Sequence, residues 1–339
     1  MLRNKRILFI LKKRSSYGIS YGLTNSCKFV ANTLNDYKLQ CKVVEVEDYN
    51  CIDKEVHSYK PSHVFIDALW VLPEKFKELL SKYKKIYWCV RIHSKMPFLS
   101  MEGIAMQWLW EYQKDILDHY DNFDISANSL QTSDQLKQLK LFNTYLPNMY
   151  YPHIDLNNDG KTEKDPHNID IGCFGSIRPL KNQLQQAVAA ILFADDLSKK
   201  MRFHINADRV EQKGEPILKN LEYLFENSKH KLIKHDWMNH EDFLKLVSKM
   251  ELGMQVSYSE SFNIVAADFA FMNIPIVGSY DIDWLNSKYQ ANPNDCNDIV
   301  DKLKFAYENR SHGTQWLNKY NLWKHNKLAV EIWLDYILG

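Results

Sequence analysis

Short apolar runs rich in β-branched residues alternate with helix-length stretches almost from end to end of this chain, and that alternation admits few folds. Strands separated by helical crossovers pair in parallel, and a parallel sheet needs helices on both faces. In the first half the candidate strands are residues 6–11, 41–46, 63–66, 85–90 and 125–127, with helical stretches near 24–34, 73–82 and 102–119. From 148 to 168 the pattern gives way to a stretch rich in Asn, Asp, Pro, His and Lys, the composition of a linker. The alternation then restarts, with strands near 169–174, 201–205, 231–235, 252–256 and 275–278 and helices near 182–197, 216–227, 240–250 and 261–271. The expectation is an α/β protein of two Rossmann-like doubly wound domains: residues 1–148, a linker over 149–168, and residues 169–313. A length of 339 residues suits two cores better than one. The tail, 314–339, reads as a helical segment rich in aromatics (Trp316, Tyr320, Trp323, Trp333, Tyr336) that packs back across the linker. Ligands of such sheets bind at the carboxyl ends of the strands, and with two domains the expected place is the cleft between them.

Charge narrows the partners. The chain carries 43 Lys and Arg against 42 Asp and Glu, a net +1, which excludes binding to nucleic acid through bulk electrostatics. Residues 1–150 hold 21 basic against 16 acidic residues, a local surplus of +5 that suits either an acidic partner or a solvated surface. Six cysteines show no paired metal-type spacing and read as thiols of a reducing compartment, and the apolar run 7–11 is cut short by Lys12, Lys13 and Arg14. That run is too short for a membrane span or signal peptide, so a cytoplasmic protein without a membrane span is expected.

Three constellations carry chemistry. The first lies between an apolar strand near 252–256 and another near 275–278: Glu260, Ser261, Phe262, Asn263, and then Asp268 inside an otherwise apolar run. If Glu260 opens a helix, eight residues separate the carboxylates by about 12 Å and roughly 80° of rotation, an offset suited to an elongated ligand lying across the helix start. A phosphate would sit at the helix N-terminus between them. The plainer readings are a carboxylate complementing the helix dipole and a solvent-facing Asp. The second is Gly175-Ser-Ile-Arg178-Pro-Leu-Lys181-Asn182, between a strand and a helix, where Arg178 and Lys181 suit a diphosphate or make an ordinary basic loop. The third is His93, just past the strand 85–90. Gly18 and Gly22 follow the first strand, where turn chemistry explains them equally well. Asp236 and Trp237 end another strand, and Asp281 and Asp283 read as a turn. His204, His235 and His240 lack convincing ligand spacing, so no metal is proposed.

Glu260-Ser-Phe-Asn-Ile-Val-Ala-Ala-Asp268, followed by Asn273-Ile-Pro275, resembles the acidic-x7-acidic signature of family-4-type retaining glycosyltransferases of the GT-B fold. The loop 175–182 is similar to that family's Gly-Arg-Leu...Lys-Gly loop, with Lys181 at the lysine position, and Tyr145-Leu-Pro-Asn148 resembles the run closing its first domain. The chain departs from the pattern in having Asp at the second acidic position, Ser176 where Arg is usual, and Asn182 and Asn273 where glycines are usual.

The resemblance implies transfer of a sugar from a nucleoside-diphosphate sugar, UDP-sugar foremost, to an acceptor hydroxyl, with retention and without a metal or other required cofactor. It places Glu260, His93 and Lys181 as catalytic residues. Donor contacts would come from Gly175, Arg178, Lys181, Ser261, Phe262, Asn263 and Asp268, with Asp268 on the ribose, Asp236 by the nucleobase and Gly22 near donor and acceptor. The first half, with Trp70, Met101-Glu102-Gly103, Trp108 and Trp110, is also similar to bacteriophage-encoded members of this superfamily, for which a hydroxymethylated base in DNA is an acceptor. The rival expectations are a nucleotide-sugar epimerase or sugar phosphorylase of the same fold, and a non-catalytic module that binds a nucleotide sugar or DNA.

Overall fold

Five-residue stretches such as His63–Asp67 are buried along their whole length, which only a sheet covered on both faces allows. The computed structural model, described over residues 5–13, 21–151 and 167–339, contains two such sheets in two units. The first unit comprises Met1–Tyr151 with His325–Gly339, the second Pro152–Lys324. Most of the expected linker, 152–166, and Gly18 lie outside the described residues.

The first unit runs β1 (Arg6–Lys12), α1 (Tyr21–Asp36), β2 (Gln40–Val46), α2 (Ile52–Tyr59), β3 (His63–Asp67), α3 (Pro73–Lys82), β4 (Tyr87–Ile92), α4 (Met96–Leu99), α5 (Ala105–Glu111), β5 (Phe123–Ala127), α6 (Leu130–Gln138) and β6 (Thr144–Tyr145). All strands pair in parallel in the order β2-β1-β3-β4-β5-β6. The order reverses between β1 and β3, which is the switch point of a doubly wound sheet. The helix expected over 102–119 is shorter: α5 passes into a π-helical turn, Tyr112–Leu117.

The second unit runs β7 (Asn168–Gly172), α7 (Gln183–Asp196), β8 (Lys200–Asn206), α8 (Glu215–Glu226), β9 (Lys231–His235), α9 (His240–Val247), β10 (Leu252–Gln255), α10 (Ile264–Phe271), β11 (Ile276–Ser279), β12 (Gln290–Ala291), α11 (Cys296–Glu308) and α12 (Trp316–Leu338). Its parallel order is β12-β11-β10-β7-β8-β9, so here the reversal falls between β7 and β10. Close packing holds α10 on this sheet: a Cβ on Gly253 would come within 2.6 Å of the Phe269 ring.

The tail is a single helix whose residues are shared between the units. Its second half is sewn onto the first unit by Trp333, whose ring lies 5.1 Å from Phe65 and whose Nε1 donates to the Pro147 carbonyl at 2.8 Å. Asn326 exchanges two hydrogen bonds with the backbone of Tyr150.

Candidate active site

The loop after β7 turns sharply at Gly175, whose φ of +111° a side chain would strain. The Gly175 amide donates to Asn206 Oδ1 at 3.0 Å, and the Lys181 side chain lies over the glycine, so that a Cβ there would stand 3.8 Å from Lys181 Cε. The loop is braced from one side by backbone bonds between Ile177 and residues 209 and 211. On its other side Leu180 O accepts from the Tyr258 amide at 2.9 Å, tying it to the loop after β10.

That tie brings two residues 79 positions apart into contact. Lys181 Nζ meets Glu260 Oε1 at 2.5 Å, at the carboxyl ends of β7 and β10, where the sheet order reverses. Glu260 is buried, and burial alone would push its carboxyl up, but Lys181 and Arg178 outweigh burial and hold it below the usual range. The Glu260 amide donates to Asp281 Oδ2 at 3.1 Å. Asp281, read from sequence as a turn residue, thus anchors the loop that carries the carboxylate.

Two neighbours escaped the sequence reading. Gln255, the last residue of β10, donates to the Phe174 carbonyl and accepts at Oε1 from Asn263 Nδ2 at 2.8 Å and from Lys181 Nζ at 3.5 Å. Asn206 closes β8. Both are polar residues at the carboxyl end of a parallel strand, and that position was the signal.

One structural expectation is corrected by the geometry, and the other expected residues have the surroundings described below. Glu260 does not open a helix: α10 begins at Ile264, capped by Asn263, whose Oδ1 accepts from the Ala266 amide at 2.8 Å. The helical offset between Glu260 and Asp268 therefore does not apply, because Ser257–Phe262 form a loop whose path the cap and Asp281 set. Phe262 turns its ring into the core beside Trp284, whose Nε1 donates to the Phe262 carbonyl. Ser261 is half-buried in the same loop. Arg178 lies 3.6 Å from Glu211, so one of the two loop cations already faces a carboxylate. Asp268 is buried and takes a 2.6 Å hydrogen bond from His240 Nε2. Burial works against charge on His240, but that bond to Asp268 prevails and raises its value. Asp236 is exposed past β9, with its carbonyl facing Asn206 Nδ2 at 3.5 Å. Gly22 stands in the first turn of α1 rather than in a loop, with open space where a Cβ would go, so glycine is not required there.

Asn182 and Asn273, where the resemblance expects glycines, both adopt φ of +57°. Asparagine is the residue that best stands in for glycine in the left-handed region, so the backbone turn is kept.

In the first unit His93 follows β4, and its Nε2 lies 2.6 Å from Asp67 Oδ1 at the end of β3. The same oxygen accepts from Arg91 Nη1 at 2.7 Å, and Asp67 Oδ2 accepts from the Cys27 thiol at 3.1 Å. Arg91 also donates to Asn148 Oδ1 and lies under the Trp333 ring. Asp67 and Arg91 are fully buried. Burial lifts the Asp67 carboxyl, but Arg91 and His93 overcome it and the net direction is down. Burial is also the main influence on His93 and lowers it, which keeps the imidazole neutral near pH 7. Asp67 was missed because a single charge at the end of Val-Phe-Ile looks like a strand terminus.

No family model and no curated sequence matches the chain. Solved structures do match along almost its full length. A glycosyltransferase from Rickettsia africae is 12% identical, with a TM-score of 0.69 and 98% of each chain covered. A trehalose-6-phosphate synthase studied for glycosyl transfer with retention is 10% identical over 98% of this chain and 99% of that one, at 0.65. An Escherichia coli trehalose-6-phosphate protein bound to UDP-2-fluoro glucose is 9% identical over 96% of each, at 0.61. The chain therefore has the GT-B fold: two parallel six-stranded α/β sheets in one chain.

Proposed function

We propose that this chain is a glycosyltransferase that moves a sugar from a nucleoside-diphosphate sugar, with UDP as the leading nucleotide, to an acceptor hydroxyl with retention of configuration. The observation that carries the reading is the 2.5 Å pairing of Lys181 with Glu260 at the switch point of the second sheet. Support comes from the fold, shared with a protein solved with UDP-2-fluoro glucose and with one studied for transfer with retention.

Breaking the bond between sugar and diphosphate leaves positive charge on the sugar and negative charge on the departing phosphates. Lys181, Arg178 and the amides ahead of α10 stabilise that negative charge, and fixed donors in a sheltered site need no reorganisation as it develops. Glu260, kept ionised by the same cations, lies where it can face the sugar hydroxyls or the positive charge of the transition state. In the free protein its carboxylate holds the Lys181 ammonium in place, and the diphosphate takes over part of that pairing on binding. Asp268, with the His240 proton fixed on it, is assigned to the ribose side, and neutral His93 to the reacting sugar.

The acceptor is a hydroxyl compound. The +5 surplus of residues 1–150 supports an anionic one, for which hydroxymethylated DNA is the named candidate. The test is turnover of a panel of nucleoside-diphosphate sugars with hydroxymethylated DNA and simple glycans as acceptors, with the product anomer assigned by NMR. Retained configuration and release of the nucleoside diphosphate are expected. Binding of donors with neither hydrolysis nor transfer across the panel would instead make the chain a binding module.

A further inference from the structure

Apart from the proposed transfer site, the exposed face of α12 holds an unusual combination. Residues 309–330 contain no Asp or Glu and four cations, Arg310, Lys319, Lys324 and Lys327. Within the second unit this stretch turns Asn318 and Leu322 inward, and Asn318 Oδ1 accepts from the Asn286 amide. Outward go Trp316, Tyr320 and Trp323, which are 53%, 44% and 50% exposed. Their spacing of four and three residues puts them on one stripe, and the rings touch in sequence at 5.5 and 5.8 Å. An outward helix face ordinarily carries mixed charges, whereas this one carries large amphipathic rings.

The lysines frame the rings. Lys324 Nζ stands 5.6 Å over the Tyr320 ring and Lys319 Nζ 5.3 Å over Phe271, each with its apolar stem along an aromatic surface. Among the described residues neither Lys319 nor Lys324 meets a carboxylate. Both cations are therefore available to an outside anion.

We propose that this face docks on an anionic lipid bilayer, with α12 lying in the plane of the headgroups, Trp316, Tyr320 and Trp323 at the headgroup level and the lysines on lipid phosphates. A single-stranded nucleic acid would use the same charges, but it also needs open ring faces on which to stack bases. The stacking surface of Tyr320 is already engaged by Trp323 and by the Lys324 ammonium. A headgroup layer needs only the ring edges and polar tips that this stripe presents. No helix among the described residues is long and apolar enough to cross a membrane, so the contact is peripheral.

The test is co-sedimentation of the full chain with vesicles of phosphatidylcholine alone and of phosphatidylcholine doped with phosphatidylglycerol, at low and high salt, beside a single-stranded oligonucleotide in a mobility-shift assay. The wild type should sediment with the doped vesicles only. Replacing either lysine by Gln should weaken partitioning about fivefold. Lys319→Glu with Lys324→Glu should abolish it, and Trp316→Ser with Trp323→Ser should leave only a residue that salt removes. All of these side chains are solvent-facing, so thermal melting should match the wild type, and turnover of soluble substrates, which tests the proposed transfer separately, should be unchanged. No sedimentation with doped vesicles, equal sedimentation of the variants, or oligonucleotide binding in place of vesicle binding would each overturn the assignment.

Discussion

Each sheet puts a cation and an anion near its switch point, yet the two clusters are built to opposite ends. In the first unit Asp67 receives Arg91, His93 and Cys27, and both members of the ion pair are sealed from solvent. In the second unit Lys181 and Glu260 have side chains 11% and 8% exposed, and the ammonium also reaches Gln255 at the limit of a hydrogen bond. A pair sealed from solvent presents no face to a ligand and serves to fix its neighbours. A pair that keeps some exposure, with a further partner only at the limit of a hydrogen bond, can be readdressed when phosphate arrives. Under the proposed function, the first cluster holds His93 in place and the second carries the chemistry.

The largest effect that tests this contrast is on stability. Asp67→Asn keeps the shape but leaves the Arg91 guanidinium buried without a counter-charge, and breaking such a pair costs about 3–5 kcal/mol. Urea denaturation should show that loss at neutral pH. Since the Asp67 carboxyl is depressed in the folded chain, its contribution is present above the unfolded value of 3.8 and fades only as pH falls through the folded one. A loss below about 1 kcal/mol, the size of one ordinary hydrogen bond, would remove the distinction between the clusters.

Lys181→Met makes the complementary test. Removing one fixed donor to a developing anion lowers kcat by about 10²–10³. Arg178 still acts on Glu260 and both side chains keep a little exposure, whereas Asp67 and Arg91 keep none, so the denaturation midpoint should move less than in Asp67→Asn. Wild-type turnover in the variant would take the second cluster out of the chemistry, and a collapse in stability without a loss of turnover would invert the comparison.

How much of this was legible beforehand depended on range. Strand and helix patterns are local, and they gave both sheets and the central strands. The edge strands β6 and β12, two residues each, carry too little pattern to register. Lys181 and Glu260 could be named because each sits in a short motif, but their contact is a property of strand order, which puts β7 beside β10 across the intervening α7, β8, α8, β9 and α9. Asp67, Gln255 and Asn206 went unnoticed because lone polar residues at strand ends have no motif and gain meaning only when neighbouring strands deliver partners. The start of α10 was misplaced by three residues because the working cap, Asn263, adopts a φ of +61° that its sequence does not announce.

The smallest effect concerns Asp268, which belongs to the second unit yet is as buried as Asp67 and so strains the contrast. Its partner His240 has side-chain exposure of 18% and a value raised above 6.5 by that carboxylate, against the pull of burial. The sign follows: the charged pair contributes fully below the unfolded value of 6.5, and its contribution is lost as pH rises through the raised folded value. His240→Gln, which keeps a hydrogen-bond donor but no charge, should therefore cost about 1 kcal/mol in mildly acidic buffer and less in alkaline buffer. Thermal melts across that range measure it. If Asp268 serves the ribose, the variant should also weaken nucleoside-diphosphate binding at fixed pH, because the carboxylate loses the group that orients it. A stability profile that follows this sign with unchanged nucleotide affinity would place Asp268 with Asp67, as a residue that holds the fold, and leave the proposed ligand contacts to Lys181, Arg178 and Glu260.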